Sequence, residues 1–335
     1  YERFVSSKMG RRNSFTAGQV YEEVIRKERK GDYLGGTVQV IPHLTDEIKA
    51  RIRNAADGYD ILLGEVGGTV GDIEGLPFLE AIRQFSADVG RENVAYIHLT
   101  LVPYIKSAGE LKTKPTQHSV KELTNLGIQP DIIVLRAEQE VDAASRKKIA
   151  LFCNVKEENV INAPDVDSIY ALPEVLHSQG LDTQLCNRLG IWTGAPNLEP
   201  WHQFTSTASN PPKGEITIAM VGKYVTLKES YKSLHESLVH GAVACGASVK
   251  VLYVDAGELD NGEIPPELLN VDGILVPGGF GKRGSEGKIR AIKYARENGI
   301  PFLGICLGMQ MAVVEFARHV AGIANAGSSE FDLDC

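Results

Sequence analysis

The sequence has no surplus of positive charge: 35 Lys and Arg stand against 43 Asp and Glu, a formal net charge of −8. That argues against broad binding to a nucleic-acid backbone, which needs a cationic surface, and leaves room for a local basic pocket only. No apolar run comes near the roughly 20 residues that a membrane-spanning helix takes. Cysteines are few. Cys153, Cys186, Cys245, Cys306 and Cys335 are odd in number, far apart, and form no pair at metal-ligand spacing. Reduced thiols in the cytoplasm are therefore expected, rather than a disulfide framework or a structural metal. There is no long internal repeat, no signal peptide and no methionine at Tyr1, so further chain is expected upstream. The hydrophobic share of 43% over 335 residues predicts an ordinary globular protein of about two domains.

What is present is best read from Gly304-Ile305-Cys306-Leu307-Gly308-Met309-Gln310. The apolar run Ile300-Pro301-Phe302-Leu303 before it has the character of a buried strand, and Met311 to Ala317 after it has helical spacing. A cysteine between glycines at a strand-to-helix turn is where a strained nucleophile sits, with the helix N-terminus aiming N–H groups and a positive dipole end at the sulfur. Such surroundings favour the thiolate. A small buried residue at a tight junction writes the same pattern. A second glycine cluster, Pro277-Gly278-Gly279-Phe280-Gly281, closes the apolar run Gly273-Ile274-Leu275-Val276. In a parallel sheet both loops fall on one edge, where the glycine backbone would supply oxyanion donors beside Cys306.

Upstream, apolar strands over Tyr59 to Glu65, Val94 to Val102, Asp131 to Leu135 and Asn159 to Asn162 alternate with helical stretches. That alternation predicts an open, mostly parallel α/β sheet over residues 1–189. Residues 190–214 break the pattern with Gly194, Pro196, Pro200, a polar tract from Thr205 to Asn210, and Pro211-Pro212, which reads as a linker. A second α/β domain, 215–335, opens with the strand Ile216 to Val221. Two features of the first domain carry chemistry. Glu65 ends an apolar strand, where nucleotide-hydrolysing folds place a magnesium-linked carboxylate and where ordinary helix caps are also acidic. Lys112-Thr113-Lys114-Pro115-Thr116-Gln117-His118 opens a helix with two lysines and two threonines, the make-up of a polyphosphate cradle or of a solvated loop.

The elbow and the Gly-Gly-Phe-Gly loop resemble the class I glutamine amidotransferase family. By that resemblance Cys306 corresponds to the nucleophile, Gly279 to the oxyanion-hole residue, and Phe280, Leu307, Gly308, Met309, Gln310 and Glu330 to the glutamine pocket. The resemblance also implies a histidine and a glutamate, one residue apart, beyond Cys335. His319 is the only histidine after the elbow, and thirteen helical residues would carry it roughly 20 Å away, so a helix-end position is expected.

The first half resembles the synthetase domain of the CTP synthase family through Gly-Gly-Thr-Val-Gly-Asp-Ile-Glu, Lys-Thr-Lys-Pro-Thr-Gln-His-Ser-Val-Lys-Glu-Leu, Ile-Ala-Leu-Phe-Cys-Asn-Val and Asp-Val-Asp-Ser-Ile-Tyr. The fold so implied is a P-loop-NTPase-like domain followed by a flavodoxin-like amidotransferase domain, both incomplete. No Gly-x-x-x-x-Gly-Lys-Ser/Thr is present, so the phosphate loop and a second magnesium aspartate are expected upstream. By the resemblance Glu65 is a magnesium ligand, and Asp72, Ile73 and Glu74 read the pyrimidine nucleotide. Lys112, Thr113, Lys114, Pro115, Thr116, Gln117 and Lys148 bind UTP, and Val166 lies at the adenine of ATP. The implied activity is ATP-dependent amination of UTP to CTP with ammonia from glutamine, by a cytoplasmic homotetramer with CTP as feedback inhibitor and GTP as activator. Lys282-Arg283-Gly284 reads as a solvated basic turn or, by the resemblance, as part of a GTP-sensing lid. The competing expectation is a truncated or degenerate homologue that binds pyrimidine nucleotide and assembles with itself. This fragment alone is expected not to turn over.

Overall fold

Buried main-chain N–H and C=O groups have to be paired, and in each half of the chain a parallel strand ladder pairs them. The computed structural model describes residues 1–5, 7–225, 227–279 and 281–329. The chain divides into two units, Tyr1–Leu198 and Glu199–Cys335. The division falls inside the segment 190–214, which also carries a helix.

In the first unit, α1 (Ala17–Lys30), α2 (Thr45–Ala56) and α3 (Leu76–Val89) come first. α1 starts at Thr16, whose hydroxyl and Gln19 form a reciprocal capping box, and ends at Gly31 in the left-handed region. Val20 and Val24 of α1 meet Leu44, Ile48 and Ala81 in a small core. Next come β1 (Ile97–Leu101), the short antiparallel pair β2 (Tyr104–Ile105) and β3 (Glu110–Leu111), then α4 (Lys114–Asn125). β4 (Ile132–Ala137), α5 (Ala143–Cys153), β5 (Val160–Pro164), α6 (Leu172–Ser178) and α7 (Leu181–Leu189) complete the unit. The sheet order is β1-β4-β5, all parallel, with Ile97 opposite Ile132 and Ile133 opposite Val160.

The central strand β4 is apolar along almost its whole length because both its faces are covered. Ile133 and Leu135 pack with Val120 of α4 and Ile149 of α5. The alternate residues Ile132 and Val134 pack with Ile161, Leu176, Leu181 and Leu185. β1 is covered on one side only. His98 and Thr100 point inward, where the His98 Nε2 lies 2.8 Å from the Ser119 hydroxyl, while Ile97, Leu99 and Leu101 are exposed.

One strand expected from the sequence is absent. Residues 59–65 have no regular structure, and Ile61 and Leu63 are 57% and 74% exposed. Their apolar composition suits a buried strand, but composition provides no ladder partner, and among the described residues none pairs with them.

The second unit runs α8 (Glu199–Ser209), β6 (Glu215–Gly222), α9 (Lys232–Ala244), β7 (Ser248–Asp255), β8 (Gly273–Val276), α10 (Ser285–Glu297), β9 (Phe302–Gly304) and α11 (Leu307–His319). Its sheet is ordered β7-β6-β8-β9, again all parallel. Chain direction across the sheet reverses between β6 and β8, and crevices at the strands' C-terminal ends form at such a switch point. Tyr231, just before α9, and Leu234 and Leu238 of α9 cover one face on Met220 and Leu275. α10 and α11 cover the other through Ile289, Ile292, Leu307, Met311 and Val314 on Ala219, Val221, Ile274 and Val276. Both units are thus parallel-sheet α/β folds.

α10 and α11 are also locked by charge. Arg296 donates to both oxygens of Glu315, at 2.9 and 3.2 Å, and the Glu315 carboxylate holds the arginine pKa above its ordinary value. The Glu315 side chain is 2% exposed and that of Arg296 is 35% exposed. Breaking a buried pair costs most when the remaining partner cannot reach water. Arg296→Met should therefore destabilise the second unit more than Glu315→Gln does, with the His319 ring, 3.3 Å from the Glu315 carboxylate, as the carboxylate's remaining neighbour. Urea denaturation of both variants checks this; equal losses would count against a buried, dependent carboxylate.

Candidate functional site

The Gly-x-Cys-x-Gly stretch forms the turn between β9 and α11. Cys306 is the residue before the helix and has φ +52° and ψ −112°, in the region that side chains rarely adopt. Two close approaches hold it there. A Cβ on Gly304 would lie 2.7 Å from the Gly308 main chain, and one on Gly308 would run closer still into the carbonyl of Val276. Strand and helix can meet at this distance only through glycine. The Ile305 N–H donates to the Val276 carbonyl at 3.0 Å, and the Cys306 carbonyl accepts from Met309 and Gln310 at 3.1 and 3.2 Å. The Cys306 thiol stands exposed at the start of α11.

The glycine loop after β8 lies against it. A Cβ on Gly278 would stand 3.3 Å from the Cys306 Cβ and 3.7 Å from its Sγ. Among the described residues, neither the Gly279 N–H nor the Leu307 N–H has a hydrogen-bond acceptor. Those two groups match the oxyanion donors of an elbow, one from the residue after the nucleophile and one from a neighbouring loop. The loop after β6 completes the edge. The Tyr231 hydroxyl accepts from the N–H groups of Lys223 and Tyr224 at 3.0 and 3.2 Å, and Arg283 donates to the Lys223 carbonyl at 2.9 Å. Met309 is exposed in the first turn of α11, and the Gln310 side chain accepts from the Ser328 hydroxyl at 3.3 Å. Phe280 and Glu330 lie outside the described residues. His319 is the last residue of α11, its Nδ1 3.1 Å from the Glu315 carbonyl, at the opposite end of the helix from Cys306.

In the first unit the C-terminal edge of the sheet gathers the lysine-threonine stretch, Lys148 and Val166. Lys112 follows β3 and pairs with Glu110, and Lys148 on α5 also acts on that carboxyl. The Lys112 hydrogen bond first, then the charges of Lys112 and Lys148, hold Glu110 below its ordinary pKa. Lys114 and Pro115 form the exposed first turn of α4, where main-chain N–H groups and a dipole end favour anions. Thr113 is buried and accepts from the Gln117 amide at 3.1 Å. Thr116 is fully buried, accepting from Thr100 at 3.2 Å and donating to the Leu101 carbonyl at 3.4 Å. Its hydroxyl is thus turned into the sheet, and not outward as a cradle side chain would be. Val166 is half-buried just past β5.

Other expected neighbours stay apart. Asp72, Ile73 and Glu74 lie in an exposed turn before α3, and among the described residues no hydrogen bond or ion pair joins them to the lysines. Glu65 is a single exposed carboxylate on the irregular segment, and the described residues contain no group of three or more acidic, histidine or cysteine side chains able to hold a metal. The donor set does not fit a magnesium site by itself. Sequence reasoning passed over Glu110 and, in the second unit, Lys288. Lys288 falls on the inward stripe of α10 with Ser285, Ile292 and Ala295, so helical spacing would have placed it inside.

The family described as CTP synthase N-terminus matches residues 1–191, and that described as glutamine amidotransferase class-I matches residues 226–331. A CTP synthase of Geobacter metallireducens is 61% identical over 335 residues, all of this chain and 62% of that protein. One of Geobacter sulfurreducens is 60% identical over the same span and share. The chain therefore spans about 62% of the length of the curated relatives it matches. The solved glutaminase domain of Trypanosoma brucei CTPS with bound acivicin is 43% identical over 36% of this chain and 47% of that one, at a TM-score of 0.33.

Burial pushes the Cys153 thiol up to about 11, so almost none of it is thiolate at neutral pH. A small alkylating agent at pH 7 should modify the exposed Cys306 and Cys245 and spare Cys153, as read by peptide mass. In Gly308→Ala, where the new methyl group collides with the Val276 carbonyl, we expect a loss of about 1–3 kcal/mol and altered Cys306 labelling. Unchanged stability and labelling would show that α11 can retreat freely.

Proposed function

The chain belongs to the CTP synthase family, and from that premise we propose that the complete protein aminates UTP to CTP at the expense of ATP, with ammonia taken from glutamine. The observation that carries the glutamine half is the exposed thiol of Cys306, held at φ +52° against Gly278. In this reading the thiolate attacks the side-chain amide carbon of glutamine, and the carbonyl oxygen takes up negative charge beside the N–H groups of Leu307 and Gly279. The carbon–nitrogen bond then breaks, the nitrogen takes a proton and leaves as ammonia, and the acyl group stays on Cys306 as a thioester. Water hydrolyses the thioester to glutamate. The proton transfers are not assigned to His319, since thirteen helical residues span roughly 20 Å.

In the first unit, Lys112, Lys114, Lys148 and the start of α4 would receive the triphosphate of UTP. Glu110, which pairs with Lys112, would give way to the phosphate. ATP transfers its γ-phosphoryl group to the uracil 4-oxygen, ammonia adds at the adjoining carbon, and phosphate departs to leave CTP. Val166 would lie at the adenine. Ammonia that picks up a proton from water is no longer a nucleophile, so its transfer has to be sheltered. CTP as inhibitor, read by Asp72, Ile73 and Glu74, GTP as activator and a homotetrameric state belong to the same proposal.

A glutamine-analogue alkylator should label Cys306 in the complete protein, abolish glutamine-dependent CTP formation and leave ammonia-dependent formation largely intact. Equal labelling of Cys153 or Cys245 would sink the assignment. Lys112→Ala should weaken UTP and CTP alike, by about 2 kcal/mol for a charge-assisted contact. Glu74→Ala should relax inhibition by CTP more than it harms use of UTP. Titrating both nucleotides against both variants is the measurement, and equal weakening in Glu74→Ala would refute the discriminating role.

A further inference from the structure

Two successive glycines have no side chains with which to hold a direction, and more backbone freedom than any other pair. Gly278-Gly279 is such a pair, and Gly279 sits at φ +153°, where a residue with a side chain is strained. An oxyanion donor works only when its N–H already points to where the charge will form. Something outside the loop therefore has to fix it. On one flank this is Cys306 itself, whose Cβ lies 3.3 Å from the point that a Cβ on Gly278 would occupy. On Gly279 the corresponding point has two neighbours, the Lys288 Nζ and the edge of the Tyr224 ring, each at 3.9 Å.

The ring is held through its own main chain. The Tyr224 N–H donates to the Tyr231 hydroxyl at 3.2 Å, and the Tyr224 carbonyl accepts from the Leu227 N–H at 3.0 Å. One residue earlier, the Lys223 N–H donates to the same hydroxyl at 3.0 Å, while the Lys223 carbonyl accepts from Arg283 at 2.9 Å. Tyr231 is 5% exposed and packs on Met220 and Leu275. Leu275 belongs to β8, the strand that runs into the glycine loop, and Arg283 to the chain that leaves it. The brace and the loop it braces are thus anchored in one core. The Tyr224 ring itself is 40% exposed, so its removal disturbs little of that core.

We propose that Tyr224 is a positioning residue of the glutaminase site: its ring, fixed by the Tyr231 hydroxyl, backs Gly279 and keeps the Gly279 N–H aimed at the oxyanion that forms on glutamine. The proposal rests on the glutaminase reading given above. It gives the ring no contact with glutamine and no effect on the thiol. Turnover and simple alkylation of Cys306 should therefore part company. When the sulfur displaces iodide from iodoacetamide, a carbon–sulfur bond replaces the carbon–iodine bond at a saturated carbon, and no charge builds on a carbonyl oxygen.

The test compares glutamine hydrolysis by the complete protein with alkylation of Cys306 by iodoacetamide, followed by peptide mass. In Tyr224→Ala kcat should fall about tenfold, part of the roughly hundredfold or more that a whole oxyanion donor is worth, with KM and the alkylation rate within about twofold of the parent. Tyr224→Phe keeps the ring and should keep the parent kcat. Tyr231→Phe should lower kcat as well, and the two changes together should cost no more than Tyr224→Ala alone, since both act through one ring. A parent-like kcat in Tyr224→Ala overturns the proposal. So does an equal loss in Tyr224→Phe, or a fall in alkylation that matches the fall in kcat. Labelling of Cys306 by a glutamine analogue would in those cases leave the glutaminase reading standing. A parent protein that neither hydrolyses glutamine nor takes the analogue removes that reading, and this proposal with it. Should Tyr224→Ala not fold, kcat and alkylation in Tyr231→Phe decide in the same way.

Discussion

The arrangement of the second unit depends on one contact, the start of α11 pressed against the end of β8. With no side chain at Gly308 the helix can touch the Val276 main chain, and with none at Gly304 the turn can close on that helix. In the turn between them Cys306 takes a positive φ. Strain of this kind costs on the order of 1–3 kcal/mol and lasts only where its surroundings over-determine it. Here the surroundings are a fully buried layer of Leu307, Met311, Val276 and Ile274, with the Arg296–Glu315 pair fastening α10 to α11 behind it. The energy of the core is what presents the thiol to solvent.

The first unit solves a different problem. Its lysines gather at one sheet edge, where like charges repel each other. Glu110 pairs with Lys112 and also feels the charge of Lys148. The threonines of the same stretch act differently: the Thr116 hydroxyl ties α4 to β1, so it fixes where the helix begins.

Much of this was legible because it is local. A glycine that must be a glycine, an apolar period of two or of 3.6, and a cysteine at their junction all lie within a dozen residues, and the sequence at 302–314 states them together. What was not legible depends on distant chain. Residues 59–65 have the composition of a strand, yet strand formation belongs to pairs of segments and not to one. Thr116 looked like a phosphate ligand beside its lysines, but helical phase turns it inward toward Thr100. Lys288 drew no reading from the sequence, although helical spacing sets it on the inward stripe of α10. Its burial follows from the close seating of α10, since a Cβ on Gly287 would overlap the Ala256 main chain. The segment 190–214 has the glycine and proline content of a connector and still holds the eleven residues of α8.

The Tyr231 hydroxyl has a bearing on how this sequence can drift. Exchange of tyrosine for phenylalanine is ordinarily one of the mildest changes a core accepts, since the ring and its packing survive. At position 231 the oxygen takes two main-chain N–H groups from the loop after β6, and losing it would leave both without an acceptor inside the unit. Position 222 is bound to the same atom, because any side chain there would strike the hydroxyl. Two residues nine apart in the chain are therefore free to vary only as a pair, and a lineage that keeps the tyrosine is obliged to keep the glycine.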